Sequence, residues 1–142
     1  MIINKFEYVA LTIIDIDVKK CCEYLNTILN RDSNSTYKKS IIPLDIDKVY
    51  TGSPIYNGFS KFMIWEPKTQ PGKTVFFSNK IDGRQTLIYK LSNMLNLLTI
   101  SIAFSNGRPN KDDNPAYIFN YYDFTKKIKI ERTIYNIKEQ YK

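Results

Sequence analysis

Histidine is absent from all 142 residues. That absence excludes Ser-His and Cys-His nucleophile activation, histidine general-base catalysis and histidine-ligated zinc. Carboxylate, lysine and tyrosine chemistry stay open. Glycine is scarce, at 5 residues, which argues against a glycine-rich nucleotide-binding fold. The only cysteines, Cys21 and Cys22, are adjacent. Helix neighbours point about 100° apart, so the pair does not bridge within one chain, which fits a reducing compartment. No run reaches the roughly 18 apolar residues of a membrane span. The opening MIINKFEYVALTIIDID is broken by Lys5, Glu7, Asp15 and Asp17. It lacks the basic start and small-residue cleavage site of a signal peptide. The expectation is a soluble, cytoplasmic protein with no membrane partner and no cofactor.

What is present is ordinary for a globular chain, with 43% hydrophobic and 25% charged residues. A chain of this length fits one domain, residues 1–142, and buries roughly 70% of its unfolded surface. Tyrosine and phenylalanine are abundant, at 11 and 8 copies, which favours strands and leaves aromatic surface to spare. The net charge of +7 is uneven. Residues 72–142 carry 12 basic and 6 acidic side chains, against 9 and 8 in residues 1–71. Such a skew invites a nucleic acid or an acidic protein, and it equally describes a solvated, Lys-rich face.

Residues 6–14 place Phe6, Tyr8, Ala10 and Ile14 on one side and Val9, Leu11 and Ile13 on the other. Apolar residues on both sides predict a strand in the middle of a sheet. Asp17 offers a helix cap, and Val18, Cys21, Cys22, Leu25, Ile28 and Leu29 then recur at helical spacing. On that stripe both cysteines read as core residues. RDSNSTYKKS is polar loop with an Asn34-Ser35-Thr36 glycosylation motif that matters only in a secreted chain. Turn residues through 41–58 predict short extended pieces. KFMIWE and TVFFS read as a hairpin across Pro67 and Gly72. RQTLIYKLSNMLN reads as a helix with Leu87, Leu91 and Met94 or Leu95 on one face. Leu98, Ile100, Ile102 and Phe104 alternate with a small-residue back face of Thr99, Ser101 and Ala103. AYIFNYYDF and KIKIERTIYNI predict a second hairpin, with Ile128, Ile130 and Ile134 toward the core and Lys127, Lys129, Glu131 and Thr133 toward water. The order β-α-irregular-β-β-α-β-β-β makes this an α+β protein: about two helices packed on one face of a mainly antiparallel sheet. The sequence stops at Lys142 inside a strand-like pattern, from which part of the carboxyl terminus is expected to lie beyond it.

Three motifs imitate catalytic ones. Gly72-Lys73-Thr74 has the end of a phosphate-binding loop, but Pro67 stands where its first glycine belongs and a strand follows instead of a helix. Asp45 with Glu66-Pro67-Lys68 imitates the paired carboxylates and lysine of Mg²⁺-dependent nucleases. Pro67 would end the strand between those side chains, so a solvent-exposed strand end is the plainer reading. Asp15-x-Asp17 and Asp45-x-Asp47 could each pair carboxylates for a hard cation, although Asp17 already serves as a cap. The aromatic run Tyr117, Phe119, Tyr121, Tyr122 and Phe124 stands beside a basic strand. One side of it (Ile118, Tyr122, Phe124) fits a core, and the other fits ordinary sheet surface, a protein contact or a base-stacking platform.

WEPKTQPGKTVFFSN, DGRQTLIYKLS and ERTIYNIKEQ resemble segments of small bacterial immunity proteins of polymorphic-toxin and contact-dependent growth inhibition systems. The likeness covers about half the chain, from Met63 onward, through motifs of low specificity. It implies a non-enzymatic inhibitor that binds one cognate toxin domain and blocks its active site or its assembly. Immunity proteins to nucleases tend to be acidic, whereas this chain is basic, which speaks against a nuclease target or moves the contact away from its cleft. On this reading the partner-binding residues are Trp65, Lys68, Tyr117, Tyr121, Lys127, Lys129 and Arg132. The runner-up is a basic nucleic-acid-binding module; the third is a Mg²⁺-dependent nuclease using Asp45, Glu66 and Lys68.

Overall fold

A computed structural model describes residues 7–31, 37–50, 60–80, 82–105 and 116–135, with side chains through 132. Phe6, the Asn34-Ser35-Thr36 motif, the turns of 51–59, the loop of 106–115, the Ile134 side chain and residues 136–142 lie outside the described parts. The elements are β1 (Tyr8–Ile14), α1 (Val18–Asn30), β2 (Phe62–Trp65), β3 (Thr74–Ser78), α2 (Gln85–Leu95), β4 (Leu98–Ser105), β5 (Ala116–Asp123) and β6 (Ile128–Tyr135). A 3₁₀ turn at Ile46–Lys48 stands between α1 and β2. The six strands form one sheet in the order β2-β3-β1-β4-β5-β6, antiparallel at every pairing. The α+β expectation, two helices with an antiparallel sheet, describes this fold.

Local chemistry accounts for the element boundaries. The Asp17 carboxylate accepts the Lys20 N–H at 3.0 Å and caps α1. β2 stops at Trp65 because Pro67 follows, and Gly72 turns the hairpin with φ +79°. Asp82, Gly83 and Arg84 form the turn into α2, where the Asp82 carboxylate accepts the Arg84 N–H at 2.9 Å. Gly83 is required there. Its φ is +59°, and a Cβ on it would sit 2.7 Å from the Cβ of Ala10. Asn96, in the left-handed region, ends α2, and the Leu97 N–H closes onto the Ser92 carbonyl at 2.9 Å.

Both helices share one core with the sheet, in which Ile14, Cys21, Leu25, Ile28, Phe76, Ile88 and Leu91 are buried together. Phe62 stacks on Phe76 at 5.0 Å between centroids. Under the start of α2 the sheet presents small residues. Ala10 pairs with Ala103, Thr12 with Ser101 and Ile14 with Thr99. The Thr12 and Ser101 hydroxyls lie 2.6 Å apart, and the Gln85 amide donates to both, at 3.3 and 3.1 Å. The Thr12 and Ser101 hydroxyls are tolerable there because they and Gln85 satisfy one another, whereas the buried Thr99 hydroxyl has no hydrogen-bond partner among the described residues.

The opposite face has a different cover. Ile46, Val49 and Tyr50 fold across Val9, Met63, Trp65 and Phe77, with Tyr50 edge-on to Phe77 at 5.9 Å. Among the described residues this cover reaches β2, β3 and Val9 of β1.

Candidate protein-binding face

Beyond that cover, no described element lies over the helix-free face from β1 to β6. Its register sets Leu11 beside Ile102, Ile102 beside Phe119 and Phe119 beside Arg132. The next row sets Ile13 beside Ile100, Ile100 beside Tyr121 and Tyr121 beside Ile130. Ile100 and Tyr121 are half-buried, and large side chains around them are solvent-exposed: Ile102 at 54%, Tyr117 at 48%, Ile128 at 44% and Phe119 at 38%. Single exposed apolar residues are unremarkable, but a contiguous patch on one sheet face marks an interaction surface. Among the described strand residues of this face, Arg132 is the one cation.

Two readings of the strands are corrected here. Ile128 and Ile130 do not face the core: both are exposed on the open face, because the register sets Ile128 beside Asp123 and Ile130 beside Tyr121, on the side of the sheet away from the helices. Likewise the small-residue face of β4 is the helix-covered one, and its large residues point the other way.

The predicted contact residues divide among three places. Tyr117, Tyr121 and Arg132 stand on the open face, at its β5–β6 end. Lys129 is on the helix side of β6, where its ammonium lies 3.2 Å from Glu131 and 5.7 Å over the Tyr122 ring. Lys127 sits in the β5–β6 turn with φ +56°. Trp65 is on the helix-free face but half-buried among the residues around Tyr50, and Lys68 is in the β2–β3 turn at the far edge. Leu11, Ile13 and Ile102 also stand on this face but are not among the predicted contact residues, while Phe119 belongs to the aromatic run without being chosen from it. The signal for Leu11 and Ile13, apolar residues on both sides of β1, reads as burial on both sides.

Around β5 and β6 the electrostatics are local. The Tyr122 phenol donates to Glu131 at 3.1 Å. Burial, and then that carboxylate, push the phenol up to about 12. Lys129, and then Tyr122, hold the Glu131 carboxyl below its ordinary range. The Asp123 carboxyl is also held low, first by the Thr125 hydroxyl and then by the N–H groups of Lys126 and Thr125. A hollow of about 290 Å³ opens on the helix side between Tyr89, Asn93, Asn96, Phe124 and Lys127. That is the small end of the range for ligand pockets, roughly 300–1,000 Å³.

The catalytic look-alikes have structural work. Gly72-Lys73-Thr74 leads into β3, with Thr74 donating to the Ile16 carbonyl at 2.7 Å and Lys73 paired to Asp15 at 2.6 Å. Glu66 accepts the Gly72 N–H at 3.3 Å inside its own turn, and Asp45 accepts the Asp47 N–H at 3.1 Å. Among the described residues no three Cys, Asp or Glu side chains gather as a metal site. Nor is any helix among them long and apolar enough to cross a membrane.

Fold and site together define an α+β protein whose sheet is covered by helices on one face and, among the described residues, is open on the other beyond the Ile46–Tyr50 segment. Neither protein-family models, nor curated proteins, nor solved structures gave a match to this chain.

Proposed function

We propose that this chain is a cytoplasmic protein-binding inhibitor, an immunity protein that neutralises a cognate toxin domain by occluding it. The observation that carries the reading is the open apolar face centred on Ile102 and Phe119. Covering it with a partner would remove large apolar side chains from water, the dominant favourable term in most protein association. Occlusion needs no catalytic group. An apolar contact surface also suits the chain's basic charge better than mimicry of nucleic acid at a nuclease cleft.

The test is co-expression with the toxin domain encoded beside it, followed by calorimetry. The expected result is a tight 1:1 protomer-to-toxin complex. Ile102→Asp combined with Phe119→Asp should weaken it at least a hundredfold while the circular dichroism spectrum is unchanged. A neighbouring gene without a toxin domain, or undiminished affinity in that variant, removes the reading.

A second reading rests on the alternation of Tyr117, Phe119 and Tyr121 along an open strand, which could stack unpaired bases. It is weaker, because aliphatic residues surround the three rings and Arg132 alone is placed among them to meet phosphate. Nucleic-acid binding would weaken steeply as salt rises. No binding to single-stranded DNA or RNA at low salt would end it.

A further inference from the structure

We propose that the chain forms a two-fold symmetric dimer by pairing β6 of one copy with β6 of a second, centred on Ile130. β6 ends the sheet: among the described residues it pairs with β5 on one side and with no strand on the other. The backbone groups along that far side form a ready template for another strand. A partner that continues the sheet antiparallel about a perpendicular two-fold axis keeps the same face upward. Facing residues then lie on the same face, so the axis must pass through a residue.

Charge chooses which residue. Centred on Ile128, the pairing sets Lys127 against Lys129. Centred on Lys129, Glu131 or Arg132, it sets each of those against its own copy. Like charges directly opposite are destabilising. Centred on Ile130, it sets Ile130 against Ile130 on the open face and Ile128 against the aliphatic stem of Arg132. On the helix side it sets Lys129 against Glu131 of the second copy, twice. Among the registers centred on Ile128 to Arg132, the part of the strand whose side chains are described, this one alone opposes no like charges. Lys129 and Glu131 already form a half-exposed pair within the chain, at 3.2 Å, so the dimer exchanges that pair between copies without stranding a charge. Their alternation explains why an edge bearing Lys129 and Arg132, residues that ordinarily discourage edge pairing, still accepts its own copy.

In the dimer the two sheets become one, and the two open faces meet across the axis beside Ile130, Phe119 and Tyr121. The inference depends only on β6, so it stands or falls separately from the identity of any toxin.

Light scattering coupled to size-exclusion chromatography, over a wide concentration series, reads it directly. The expected mass rises from 16.7 kDa to twice that value. Lys129→Glu and Glu131→Lys should each move dimerisation to concentrations at least an order of magnitude higher, and the double exchange should restore it. Cross-linking supplies a second arm. Facing Cα atoms in antiparallel pairs are about 4.5–5.5 Å apart, within disulfide reach. Ile130→Cys in a Cys22→Ser background should therefore oxidise to a covalent dimer, whereas Leu11→Cys, on the central strand of the same face, should not. A mass that stays at one chain throughout overturns the proposal. So does a dimer indifferent to either single charge reversal, or one that the double exchange fails to restore.

Discussion

The helix-covered face of the sheet and its open face carry opposite residues. Across the β1–β4 ladder the covered pairs are Ala10–Ala103, Thr12–Ser101 and Ile14–Thr99, while the open pairs are Val9–Phe104, Leu11–Ile102 and Ile13–Ile100. Every covered pair has a small residue on β4, and Tyr8 and Ile14 are the large exceptions on β1. Closeness explains this: the turn into α2 lies against β1, with Gly83 almost touching Ala10, and larger side chains would hold the helix away. Core volume is supplied instead by the helices and by Phe76. The large residues of the open face are left for another covering, which is why that face reads as a contact surface.

The comparison breaks most directly at one residue type. Phe76 lies on the covered face at 1% exposure and Phe119 on the open face at 38%. Phe76→Ala should cost about 3–5 kcal/mol, as cavities in close-packed cores do. Phe119→Ala should cost only about 0.5–1 kcal/mol, the scale of a cross-strand pair. Urea unfolding of the isolated protein measures both. Equal losses would mean that the open face is structural core. Under the proposed function the order reverses for binding, with Phe119→Ala the damaging change.

Gly83→Ala probes the closeness itself. The left-handed backbone costs an L residue about 1–2 kcal/mol, and overpacking against Ala10 adds about 1–3 kcal/mol. A loss near 3 kcal/mol should lower the melting temperature by about 10 °C. Gly83→Ala with Ala10→Gly should recover the overpacking part and leave the backbone part. Full recovery would place the whole cost in the contact.

These pairs also show what local pattern can carry. Asp17 followed by apolar residues at three- and four-residue steps defines α1, and Pro67 with Gly72 defines the first hairpin, because caps and turns are chemistry among neighbours. The placing of β1 between β3 and β4 has no such signal, since its partners lie some 60 and 90 residues away. The covered face of β4 was equally illegible: alternation says that two faces differ, but which one meets a helix depends on where the helix lands. For the same reason Tyr117, Tyr121 and Arg132 could be chosen from a strand pattern, whereas Leu11 and Ile102 become neighbours only once the strand order is known.

The smallest expected effect sets the two sides of the β5–β6 hairpin against each other in acid. Asp123 and Glu131 both have carboxyls held below their ordinary range, so each contributes stability that is present above its unfolded pKa, near 4, and lost as pH falls through the lower folded value. Their causes differ. The Asp123 carboxylate is held first by the Thr125 hydroxyl and by backbone N–H groups, whereas Glu131 is held first by exposed Lys129. Hydrogen bonds within a turn survive salt, while an exposed ion pair is screened once the Debye length falls to about 3 Å, near 1 M. Carboxyl NMR titration in high salt should therefore return Glu131 toward its ordinary value and leave Asp123 low. Thr125→Val should do the reverse, raising Asp123 and leaving Glu131 unchanged. If salt moved both carboxyls equally, the hairpin would be held by net charge alone, and the turn hydrogen bonds at Asp123 would contribute nothing to its acid stability.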